Sequence, residues 1–182
     1  IMDNLIAEGK AVPMIVVMDW GQAPTPDQPV HIPSTPPPPE ITQVTIQELI
    51  PMVDAAFRTI PQREMRAMAG LSMGSVQTLY IGLNNLDTFA YLGVFSRRPM
   101  SPQEFSNFSA VFADAEAFNQ QVKLFWWGAG TAEEGIYYAT KANLAELAEI
   151  GIKSVFVEFP GTSHEWQTWR KSLYDFAPRL FR

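Results

Sequence analysis

The stretch RAMAGLSMGSVQTLY, residues 66–80, places a serine between two glycines where a strand-like run gives way to one of helical spacing. Within it, Gly70-Leu71-Ser72-Met73-Gly74 fits the G-x-S-x-G nucleophile elbow. In that elbow, glycines two residues either side relieve crowding in a strained strand-to-helix turn that exposes the serine hydroxyl. The competing reading is an ordinary glycine-rich turn. Context favours the elbow: REMRAMAG, residues 63–70, is a weak strand on propensity alone, but it lies between two helical runs.

The alternation continues on the C-terminal side. AYLGVF (90–95), VKLFWW (122–127) and KSVFVEF (153–159) read as strands. The segments 101–121, 137–151 and 165–181 have helical spacing. Strands separated by helices, several of them continuous apolar runs, predict a mostly parallel sheet with helices on both faces, an α/β fold. In such a sheet the crevice lies at the carboxyl ends of the strands, so the loops leaving strands are where chemistry is expected.

On the N-terminal side, IMDNLIAEGKA (1–11) has the helical spacing Ile1, Leu5, Ile6, with no basic leader or cleavage site, and reads like the middle of a protein. PMIVVM (13–18) reads as a strand buried on both faces. Eight of the fifteen prolines fall in residues 21–40, which predicts an extended proline-rich loop over 20–40, either solvated or forming a wall beside a binding site. Ile46, Leu49, Ile50, Val53, Phe57 and Ile60 share one helical face. Thr45 and Glu48 match a capping box, so a helix is expected over 41–60, bent or restarted at Pro51.

At 182 residues the chain is long enough for a single domain with a substantial core. A net charge of −6 with no basic run argues against nucleic acid as a partner. The absence of cysteine excludes disulfides, thiolate catalysis and cysteine-based zinc sites. No apolar run approaches the ~20 residues that span a bilayer, so no membrane association is expected.

A serine hydroxyl is a weak nucleophile near neutral pH and needs a base within hydrogen-bond reach. The chain has two histidines. His31 sits in the proline-rich loop and reads as a surface residue. His164 leaves the strand KSVFVEF in the loop PGTSHEW and is the candidate base. A carboxylate that orients the imidazole is expected between the two in chain order. VKLFWWGAGTAEEG supplies Glu133 and Glu134 at a strand exit, although both could simply complement the dipole of the helix that follows. Met73, the residue after the serine, would contribute a backbone N–H to an oxyanion hole.

The segments PMIVVMD, GLSMG, GAGTAEE, FPGTSHEWQTWR and DFAPRLF together resemble the esterase family of α/β-hydrolases that contains bacterial feruloyl and acetylxylan esterases, carbohydrate esterase family one. The resemblance runs from near residue 1 to the C-terminus. It implies Ser72 as nucleophile, His164 as base and Glu133 as acid, with Glu134 in reserve. Where many members have Gly-Thr-x-Asp, this chain has Gly130-Thr131-Ala132-Glu133. It also departs at Ser75, where similar members carry glycine, and at Arg97 and Arg98, where relatives have small residues. Those two arginines could line the mouth of the site or face water, and the expectation is that they face water.

The implied activity is hydrolysis of feruloyl esters on plant cell-wall xylan by a secreted or cell-surface serine esterase, with neither cofactor nor metal. Asp19 and Trp20 would then lie near the acyl pocket. The alternatives are an acetylxylan or other short-acyl esterase, an acyltransferase, or a non-catalytic carbohydrate-binding or degenerate fragment. The family's His-Gly oxyanion loop has no counterpart in residues 1–65. The resemblance therefore implies that an upstream segment of the same protein completes the sheet and the oxyanion hole.

Overall fold

The computed structural model describes residues 1–19, 21 and 36–182. Trp20 and His31, with most of the proline-rich loop, lie outside the described residues. Helix α1 (Met2–Ala7) is followed by α2 (Pro39–Gln43) and α3 (Ile50–Ala56). Strand β1 (Ala67–Leu71) then leads into α4 (Met73–Leu83), and β2 (Tyr91–Phe95) into the short helices α5 (Pro102–Asn107), α6 (Ser109–Phe112) and α7 (Ala115–Gln121). Strand β3 (Leu124–Gly130) leads into α8 (Glu134–Glu149), and β4 (Val155–Phe159) into α9 (Trp166–Phe176). All strand pairs are parallel, in the order β1-β2-β3-β4, so the predicted α/β alternation is what forms.

The strand sequences explain the layering. Period-two alternation sends Leu92, Val94, Phe125 and Trp127 to one face, where they meet Leu79, Ile81 and Leu83, Phe108, Phe112 and Phe118, and Leu147. Tyr91, Phe95, Trp126 and Phe159 go to the other, under Phe176 and Leu180. Both faces are covered, which is why these strands read as continuous apolar runs.

Three expectations need correction. Residues 13–18 form no strand, and Ile15, Val16, Val17 and Met18 are 50%, 52%, 46% and 88% exposed. Of this run, Met14 reaches the core clusters. A strand buried on both faces needs a paired neighbour, and no described strand pairs with this segment.

The helix expected over 41–60 begins instead at Pro39, so the end of the proline-rich segment is helical; proline is tolerated in the first turn, where its missing N–H would be unpaired anyway. Thr45 is no cap, because its hydroxyl donates to the Ile41 carbonyl at 2.7 Å. Between α2 and α3 the chain widens to a π-helical stretch, Val44–Leu49. Pro51 has no N–H for the Gln47 carbonyl and its ring crowds that carbonyl, which accounts for the break in register. Phe57 and Ile60 are exposed beyond the helix end.

Arg97, expected in water, is 1% exposed and ion-paired with Glu104. Burial lowers the affinity of its guanidinium for its proton, and the Glu104 carboxylate works against that effect. Arg98 does face solvent. Among the described residues no helix is long and apolar enough to cross a membrane.

Candidate active site

The turn from β1 into α4 is tight. A Cβ on Gly70 would stand 2.2 Å from the Gly74 carbonyl oxygen, a backbone atom that cannot yield, so position 70 admits only glycine. A Cβ on Gly74 would meet nothing within 4 Å; the crowding is relieved at Gly70. Ser72 sits at the apex with φ 52° and ψ −112°, a conformation a non-glycine residue adopts at a cost of about 1–3 kcal/mol. Its N–H donates to the Phe95 carbonyl at 3.0 Å, tying the apex to the end of β2.

That strain aims the side chain. Ser72 Oγ lies 3.0 Å from His164 Nε2, and His164 Nδ1 lies 2.6 Å from Glu133 Oε1. The Glu133 side chain is fully buried, whereas that of His164 is 40% exposed. Glu134 is exposed in the first turn of α8. Of the two candidate carboxylates, then, it is Glu133 that meets the imidazole.

Two loops are knitted together to hold this pair. Ala132 N–H donates to the Thr162 carbonyl at 3.0 Å, and Gly161 N–H to Thr131 Oγ1 at 2.9 Å. The β3 exit carrying Glu133 and the β4 exit carrying His164 are thereby fixed side by side. Glu133 Oε2 accepts the Gly130 N–H at 2.7 Å and the Ser96 hydroxyl at 3.0 Å. The His164 ring meets the Trp169 ring edge-on, centroids 5.1 Å apart.

Met73 is the first residue of α4, so its N–H has no partner within the helix. Asp19 is exposed, and its Oδ1 accepts the Gly21 N–H at 2.8 Å. The Gly21 carbonyl accepts from Gln77 Nε2 at 2.7 Å, and a Cβ on Gly21 would lie 3.9 Å from the Met73 methyl. Gly21 therefore packs on the first turns of α4. Among the described residues no three His, Asp or Glu side chains cluster as metal ligands.

The sequence reading passed over Ser96 and Trp169. Ser96 follows β2 at its carboxyl end, so its place at a strand exit is the signal in the sequence that points to it. Its φ of 51° is not encoded in any residue type.

A serine, histidine and carboxylate in hydrogen-bonded line, gathered from the exits of β1, β4 and β3 of a parallel sheet, make the arrangement of an α/β-hydrolase. The chain belongs to the esterase family described as "Putative esterase", whose family model matches residues 1–180. It is 38% identical over 184 residues to an endo-1,4-beta-xylanase/feruloyl esterase of Xylanibacter ruminicola, covering 100% of this chain and 23% of that protein. The chain thus spans about a quarter of that curated relative.

Two solved structures share the fold. One is a ferulic acid esterase of Anaeromyces mucronatus in complex with ferulic acid, with TM-score 0.79, 24% identity, and coverage of 98% of this chain and 69% of that one. The other is the feruloyl esterase module of Clostridium thermocellum complexed with sinapinate, with TM-score 0.68, 22% identity, and coverage of 100% and 68%.

Proposed function

We propose that residues 1–182 belong to one catalytic domain of a secreted serine carboxylic-ester hydrolase, which removes feruloyl groups from plant cell-wall xylan. The observation that carries the reading is the line Ser72 Oγ, His164 Nε2, His164 Nδ1, Glu133 Oε1, with links of 3.0 and 2.6 Å. Ser72 Oγ attacks the ester carbonyl while its proton passes to His164 Nε2. Glu133 holds the imidazole with Nδ1–H toward itself and offsets the charge that forms on the ring. The Met73 N–H and a second N–H, from a segment upstream of Ile1, stabilise the oxyanion. His164 then returns the proton to the departing sugar oxygen, leaving an acyl-Ser72. Water, deprotonated by His164, cleaves that ester, releases the acid and restores the serine. No cofactor enters these steps.

The feruloyl group is supported by the relative from Xylanibacter ruminicola, named for xylanase and feruloyl esterase activity, and by ferulic acid and sinapinate in the two solved structures. Both acids are cinnamic-type aromatics. The packing of Gly21 against Met73 and Gln77 supports placing Asp19 beside the acyl pocket. Action on xylan, an extracellular polymer, is the reason for proposing secretion.

The test compares methyl ferulate, p-nitrophenyl acetate and acetylated xylan as substrates of the full-length protein and of its Ser72→Ala variant. Methyl ferulate is expected to be hydrolysed with the highest kcat/KM, and Ser72→Ala to lower kcat by at least about 10³-fold. Preference for the acetyl substrates would replace the feruloyl assignment by a short-acyl esterase. Hydrolysis unchanged by Ser72→Ala, or xylan binding without turnover, would overturn the enzyme reading of this site.

A further inference from the structure

Ser96 is 0% exposed and holds φ 51° immediately after β2. A buried non-glycine residue in the left-handed region costs stability, and such strain persists where the surroundings over-determine it. The Ser96 N–H donates to the Gly128 carbonyl at 2.8 Å, and two further hydrogen bonds hold its side chain. Trp169 Nε1 donates to Ser96 Oγ at 3.1 Å, and Ser96 Oγ donates to Glu133 Oε2 at 3.0 Å.

The order of donors is forced by chemistry. An indole N–H can only donate and a carboxylate can only accept, so the single proton of the Ser96 hydroxyl must point at Glu133. Together with the Gly130 N–H, it occupies Oε2 and leaves Oε1 to His164 Nδ1. Trp169 also sets its ring edge-on against His164, so one side chain touches both the base and the serine that steadies the acid.

We infer that Ser96, with its hydroxyl oriented by Trp169, is a positioning residue for the hydrolytic reaction: it fixes the Glu133 carboxylate so that one oxygen alone faces His164. The inference rests on the Ser72, His164 and Glu133 reading proposed above. A carboxylate free to rotate about its last bond would present either oxygen to the imidazole, and the ring would lose the alignment that keeps Nε2 on Ser72. Because Ser96 is fully buried, loss of this bond is expected to act on kcat rather than on KM.

The left-handed backbone supplies a discriminating experiment. Glycine adopts φ 51° without strain, so Ser96→Gly should hold or raise the thermal midpoint while removing the hydroxyl. In the full-length protein with methyl ferulate, Ser96→Gly and Ser96→Ala are each expected to lower kcat about 10- to 100-fold with KM within twofold. The low-field proton resonance of His164 Nδ1–H should shift or broaden in both. Trp169→Phe should cost less, and the double variant Ser96→Ala/Trp169→Phe should be no slower than Ser96→Ala, because the indole acts through the hydroxyl.

Ser72→Ala in the same assay separates the two layers of the reading. If it abolishes turnover while Ser96→Gly keeps wild-type kcat, the positioning role is wrong and the esterase site stands. If Ser72→Ala leaves turnover intact, the site reading itself has failed. Loss in Ser96→Gly that merely tracks a fall in thermal midpoint, or full additivity with Trp169→Phe, would also overturn the inference.

Discussion

At the scale of single residues, two serines with nearly equal positive φ, Ser72 at 52° and Ser96 at 51°, stand at the exits of neighbouring strands. One presents its hydroxyl to the imidazole and the other to the carboxylate behind it. Between them the proposed acid is chosen by geometry: Glu133 is buried at the end of β3, while Glu134 lies exposed one residue on. Glu133→Gln would place an amide against Nδ1. When the amide nitrogen donates there, the ring keeps its proton on Nε2 and cannot accept one from Ser72. A loss of about 10⁴-fold in kcat is expected for that variant, and less than about twofold for Glu134→Gln. Rates of methyl ferulate hydrolysis by the two purified variants decide it, and equal small losses would remove Glu133 from the role. Ser72, His164 and the glutamate pair could be proposed from sequence because each sits at a strand exit in a recognisable order. Within the pair only the family resemblance favours Glu133; the residues themselves leave the choice open, since side-chain direction in a loop depends on contacts such as those of His164 Nδ1 and the Ser96 hydroxyl, which come from the β4 and β2 exits.

At the scale of elements, the β2 exit carries more than Ser96. Arg97 runs into the protein to Glu104, and Glu104 also closes a capping box with Ser101 at the start of α5. Residues 96–104 are thus pinned as one unit between β2 and α5. A buried pair of this kind is expensive to break from one side, because the survivor is left charged without a partner. Arg97→Met is expected to destabilise the protein by about 3–5 kcal/mol. Arg97→Met/Glu104→Gln should recover most of that, as glutamine keeps the reach to the Ser101 N–H without the stranded charge. Urea denaturation of the three proteins measures it, and a double variant no more stable than the single would count against the pair as the cause. Local pattern predicted α4 and β2–β4 well, since their apolar residues repeat at the period of the element that forms. It missed the burial of Arg97 because an arginine has no apolar signature. The partner that makes its burial tolerable lies seven residues on, in a helix whose packing is tertiary.

At the scale of the whole molecule, the sheet described here ends at β1, which pairs with β2 on one side and with no described strand on the other. A parallel edge strand leaves a row of backbone donors and acceptors open. The run Ile15 to Met18, three of its four residues β-branched and the fourth a methionine, stays exposed rather than packed. Its sequence reads as a buried strand because alternation is lost when both faces are covered. Pairing and burial, however, come from neighbours that a local reading cannot see. Both features have one explanation on the proposed reading: a strand from the upstream segment that brings the second oxyanion donor lies along β1 and covers the apolar run. The solved esterases that share the fold are longer than this chain, which spans 69% and 68% of them. Hydrogen exchange on residues 15–18 and 67–71, compared between the full-length protein and residues 1–182 alone, tests this directly. Protection at both segments is expected to be at least about tenfold greater in the full-length protein, corresponding to at least about 1.4 kcal/mol of added local stability. The chain alone should unfold below about 50 °C, because an open sheet edge and an uncovered apolar run weaken the same core. Equal protection in the two proteins, or a cooperative transition of residues 1–182 well above that temperature, would mean that the sheet is complete at β1 and that the second oxyanion donor must be sought within this chain.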